Sequence, residues 1–148
     1  MRRILVLFGF LALAVNIASA AVSVRRELPY TLDVLDKAGS KNDVQRDFLF
    51  GLGTAMTVPM GVLALLAVAI VLASFTKGGG RFGSLLLALV AALIMTAVLL
   101  EPYARTRLER GNLDGVESSL VIANISLCGL VVLLGLAVAA MTPHDRYR

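Results

Sequence analysis

From Leu120 to Met141 the chain carries no charged side chain. A run of about 20 such residues matches the hydrocarbon thickness of a bilayer crossed by an α-helix. Three more runs of the same kind precede it, at Ile4 to Val24, Phe48 to Phe75 and Phe82 to Leu100. Lipid offers the backbone no hydrogen-bond partner, so a segment that crosses it alone must satisfy its own amides and carbonyls, and only a helix does so. The expectation is therefore an all-α, four-helix transmembrane bundle that forms one integral membrane domain over 1–148, with spans at about 4–24, 48–75, 82–100 and 116–141. Composition agrees: 58% of residues are hydrophobic and 16% charged, and the mean hydropathy is +0.85, outside the usual range of soluble domains.

The boundaries carry finer expectations. The first run follows Arg2 and Arg3, and its Ala18-Ser19-Ala20 also fits a small-x-small cleavage pattern. Apolar character continues past that point and stops at Arg25-Arg26, which favours a retained helix over a cleaved signal peptide. The second run, at roughly 42 Å if fully helical, exceeds a hydrocarbon core of about 30 Å. It must tilt or bend, and Pro59, near Gly51, Gly53 and Gly61, is the expected kink. Lys77-Gly78-Gly79-Gly80-Arg81 reads as the reversal into the third helix. Asn42 with Gln45, and Asp114 with Glu117, read as caps of the helices that follow them. Between the first two spans, Leu28, Leu32 and Leu35 on one face, with Gly39 as a stop, predict a short extracytoplasmic interfacial helix. The short pieces with few acids, at the N-terminus, at Lys77 to Arg81 and in the tail, place both termini in the cytoplasm and the chain in the cell membrane as a multi-pass protein.

Helices in lipid associate through close packing and polar contacts rather than through a hydrophobic driving force. Gly53, Thr57 and Gly61 form one small-residue stripe, and Ser84, Ala88, Ala92 and Thr96 another. These two stripes are the expected contact between the second and third helices. Asn16 and Asn124 are the costly polar residues at depth. Either each bonds to a neighbouring helix as packing glue, or the two line a small polar pocket with Ser126 and Thr57.

What is missing narrows function. A single cysteine, Cys128, inside an apolar run, and a single histidine, His144, leave no metal, haem or disulfide pattern, so no cofactor is expected. At depth the spans hold no carboxylate or histidine, Glu117 lying at the edge of the last one, which argues against a proton relay. The net charge of +4 comes from basic residues flanking apolar runs, a membrane-surface pattern and not a nucleic-acid-binding one. Glu101 precedes Arg105 by one helical turn, the favourable order for an ion pair. That pair either anchors the end of the third helix or, with Asn124, holds a polar ligand at a pocket mouth.

The layout of an N-terminal helix, Leu28-Pro29 in an outer segment, a helical hairpin, a polar link after Glu101-Pro102 and a last helix with Asn124 early in it resembles the anthrone-oxygenase-like family of small four-helix bacterial membrane proteins. The resemblance implies that Asn124, Glu101 and Arg105 are corresponding positions. The chain has no tryptophan, where that family's pattern places one near the start of the last helix, so oxygenase activity does not come with the resemblance. The leading expectation is a structural or accessory membrane subunit. Its partners are the lipid bilayer and a second copy or another membrane protein, with no nucleic acid. The alternatives are a cofactor-independent enzyme acting on an apolar small molecule, and a small oligomeric transporter hinged at Pro59.

Overall fold

A computed structural model of the protein describes residues 1–32, 37–38, 43–51, 53–75, 79–102, 104–105 and 115–141. The fold is helical. Helix α1 (Arg2–Arg25, 24 residues) leads to a pair of two-residue strands, β1 (Thr31–Leu32) and β2 (Lys37–Ala38), and then to the short α2 (Val44–Phe50). Helix α3 (Met60–Ser74, 15 residues), α4 (Gly79–Leu100, 22 residues) and α5 (Gly115–Met141, 27 residues) follow. Three of these, α1, α4 and α5, are long and apolar enough to cross a membrane, and α3 is a shorter apolar helix.

The helices pack antiparallel in a ring: α1 lies between α3 and α5, and α4 faces the same two helices from the other side. Leu5, Leu66, Ile70, Leu87, Ile94 and Val131 fill the interior they enclose. The start of α1 and the end of α5 lie at one pole. There the Arg2 guanidinium donates to the Phe75 carbonyl at 2.9 Å, placing a cation against the C-terminus of α3, where the helix dipole favours one. The opposite pole holds β1, β2, α2 and the start of α5, and is called the hairpin end below.

Two expectations fail here. The segment after Pro29 is not an interfacial helix over its described residues: Thr31 pairs with Ala38 and Leu32 with Lys37 in antiparallel register. Thr31 and Leu32 are a β-branched residue and its neighbour, so local strand preference competes with the leucine spacing. The second apolar run is not one kinked helix either. It is α2, then non-helical backbone, then α3, and Pro59 is the N-cap of α3 rather than a bend inside a helix. Proline suits a helix start because it lacks the amide that the first turn leaves unpaired. Gly53 has φ +105°, and a Cβ there would meet the Thr57 carbonyl, so only glycine fits that turn comfortably.

The non-helical stretch is buried throughout, from Gly53 to Val58. Its backbone finds partners: Thr54 N–H donates to the Thr57 carbonyl at 2.9 Å, Thr57 N–H returns to Thr54 at 3.4 Å, and Gly53 N–H donates to the Asp47 carbonyl at 3.1 Å. Ala55 and Met56 seal it with Val98, Ala104 and Val121. The capping residues Asn42 and Asp114, and the tail from 142, lie outside the described residues.

Candidate functional site

Asn16 sits on the inward face of α1 and Asn124 on the inward face of α5. Both are buried, at 0% and 1% exposure. Their amides bond reciprocally: Asn16 Nδ2 donates to Asn124 Oδ1 and Asn124 Nδ2 to Asn16 Oδ1, each at 3.1 Å. The second hydrogen of Asn16 Nδ2 goes to the Ala12 carbonyl at 2.9 Å, and its Oδ1 also accepts the Thr57 hydroxyl at 3.1 Å. An asparagine side chain has two donors and two acceptor positions. All four on Asn16 are in use. Cys128 adds its thiol to Asn124 Oδ1 at 3.2 Å.

Thr57 stands between this pair and a second polar feature. Tyr30, Thr54, Thr57 and Glu101 line a cavity of about 30 Å³, walled on its apolar side by Val58, Ala97 and Val98. That space suits a water molecule or two and excludes an organic substrate. Thr54 Oγ1 is buried there without a partner among the described residues. Glu101 is buried to 4% exposure at the end of α4, and its carbonyl accepts the Arg105 amide at 3.0 Å. The Arg105 side chain is exposed. Glu101 and Asn124 do not share the cavity, which stops at Thr57, and Ser126 faces outward.

The two small-residue stripes do not meet as expected. Gly61 is exposed, and a Cβ on it would touch nothing within 4 Å. Gly53 and Thr57 belong to the non-helical segment, so they share no helical face with Gly61. Ser84 and Ala88 are buried, but their partner is α5: a Cβ on Gly135 would lie 2.8 Å from both the Ala88 Cβ and the Ser84 carbonyl. Ala92 is half-buried and Thr96 exposed. The four-residue spacing marked a face of α4 that packs closely but not which helix it packs against.

One interaction had no forecast. Arg26 donates to Glu117 Oε1 at 2.7 Å, joining the end of α1 to the start of α5. The Glu117 side chain is buried, at 4% exposure, beside the more exposed Arg26. The antiparallel pairing of α1 with α5, already implied by two asparagines at matching distances from those helix ends, would have revealed it. The site as built holds polar groups bonded to one another, with no group of three metal-ligating side chains among the described residues. Comparison with protein-family models, curated proteins and solved structures gives no match.

Proposed function

We propose that the protein is an integral four-helix membrane bundle, with α3 and the buried segment before it together making the fourth crossing, that serves as a structural or accessory subunit. The saturated Asn16 amide carries this reading. A group held for a ligand keeps bonding capacity in reserve, whereas Asn16 spends all of it on α1, α5 and Thr57. The small cavity beside Glu101 supports it further, since a substrate site in the bundle would need space reaching both Glu101 and Asn124. The start of α1 and the end of α5 share the pole that carries Arg2, Arg3 and Arg81, which fits a cytoplasmic assignment of that pole in the cell membrane. The resemblance in layout to the anthrone-oxygenase-like family concerns architecture and brings no reaction.

Purification in mild detergent with cross-linking and native mass spectrometry tests the proposal. A stoichiometric second copy or membrane partner is the expected result; a lone monomer carrying a metabolite would count against it. One observation favours a transporter as the second reading: the break between α2 and α3 resembles the discontinuous spans that form transport sites. Solute flux into proteoliposomes, abolished by a bulky residue at Thr54, would support that reading instead.

A further inference from the structure

A second, larger space lies outside the packed helices. A groove of about 410 Å³ runs between the last turns of α1 and the short α2. Ala20 is its buried floor, Ile17, Ala21 and Val24 form one wall, and Phe48 and Leu49 form the other. Among the described residues Arg25 and Gln45 supply the polar lining. The groove opens outward: Ile17 is 55% exposed, and Ala21 and Arg25 are exposed with it.

Two adjacent arginines end α1, and the fold treats them differently. Arg26 turns to α5 and bonds the Glu117 carboxylate at 2.7 Å. Arg25 points to the groove and has no ion pair among the described residues. Neither Asp43, at the N-cap of α2, nor Asp47 within it lines the groove, and Asp47 Oδ1 lies instead near Gly51. A guanidinium with no ion pair among the described residues, at the end of an apolar helix and above a long apolar slot, matches an amphiphile with an anionic head and an alkyl tail.

We propose that this groove binds one anionic phospholipid, with an acyl chain along Ile17, Ala21 and Phe48 and the phosphate on Arg25. Gln45 supplies a second donor at the headgroup. A zwitterionic headgroup carries its own ammonium beside the phosphate, so it competes less well for a single guanidinium. One arginine near a membrane surface is worth about a five-fold preference for an anionic lipid. The inference rests on the membrane reading above.

Native mass spectrometry of the full chain in detergent, titrated with phosphatidylglycerol and phosphatidylcholine of identical chains, tests it. One phosphatidylglycerol should bind about five-fold more tightly than phosphatidylcholine. Arg25→Gln should erase the preference, Ala21→Trp should weaken both lipids, and Arg46→Gln, on α2 but off the groove, should leave binding unchanged. Far-UV circular dichroism confirms that each variant is folded; if Ala21→Trp is not, the Arg25→Gln comparison decides alone. Equal binding of the two lipids by the wild type overturns the proposal and assigns Arg25 to the dipole of α1 alone. Displacement by glycerol phosphate at lipid-like concentration also overturns it, by showing a bare anion site. Release of the protein from membranes by alkaline carbonate would defeat the membrane reading itself, whereas a retained protein indifferent to lipid charge defeats only the lipid site.

Discussion

Asn16→Ala should be among the most damaging single substitutions in the interior, and most of its effect should depend on Asn124. The change removes three bonds that leave α1: two to Asn124 and one from Thr57, all at 3.1 Å. Interhelical hydrogen bonds in membrane proteins average about 0.6 kcal/mol and reach about 1.7, so the three together account for about 2–5 kcal/mol. The Asn16–Asn124 pair owns two of them, or about 1–3 kcal/mol of coupling. In a double-mutant cycle, Asn16→Ala with Asn124→Ala should therefore destabilise by less than the sum of the singles, by that amount. Micelles titrated with sodium dodecyl sulfate and followed by far-UV circular dichroism provide the readout. A coupling below about 0.5 kcal/mol, the level of independent sites, would refute the reciprocal bonding.

Other outcomes follow from the same geometry. Thr57→Val loses the bond to Asn16 and should cost about 0.6–1.7 kcal/mol, whereas Thr54→Val removes a buried hydroxyl that has no partner among the described residues and should be neutral or stabilising in the same titration. Gly135→Ala drives a methyl into Ala88 and the Ser84 carbonyl and should destabilise by about 1–3 kcal/mol, while Gly61→Ala, with open space around it, should not. Arg26→Gln deprives the buried Glu117 carboxylate of a 2.7 Å partner and should cost about 1–3 kcal/mol, a figure reduced for the half-exposed arginine; Arg25→Gln should cost less than about 1 kcal/mol. Cys128 is a free, fully buried thiol and should resist maleimide labelling until the protein is unfolded.

The apolar runs were legible because about 20 residues without charge make a helix long and apolar enough to cross a membrane, and α1, α4 and α5 are such helices. The second run misled because hydropathy measures side chains and is blind to backbone state. Gly51, Gly53 and Pro59 were visible as helix breakers, yet a kink and a full interruption begin from the same residues. What separates them is whether the freed amides find partners, and here the Thr54–Thr57 exchange and the Asp47 carbonyl provide them. Asn16 and Asn124 stood out as costly residues, but their pairing is a tertiary fact that needs the antiparallel placement of α1 and α5. Glu117 shows the same limit: its capping spacing is local, and its ion pair with Arg26 joins it to another helix.

The depth of Asn16 explains why a polar pair stands in an apolar interior. Asn16 lies nine residues before Arg25 in a continuous helix, or about 14 Å from the hairpin end at 1.5 Å per residue. Helix α3, with 15 residues, covers about 22 Å from the opposite pole, short of a hydrocarbon core of about 30 Å. In the proposed four-crossing arrangement the remainder falls to the buried segment from Gly53 to Val58, and Thr57 in it reaches the level of Asn16. Non-helical backbone at that depth is tolerated only where protein surrounds it and supplies bonds. Asn16 is then the anchor that α1 offers to an interrupted span, and Asn124 is the partner that keeps the anchor's second face satisfied. On this account Thr57→Val should weaken protection from hydrogen exchange at Thr54 and Thr57 before it affects α1. Uniform loss of protection across α1 and α5 would instead show that the asparagines hold the helices together without regard to the segment.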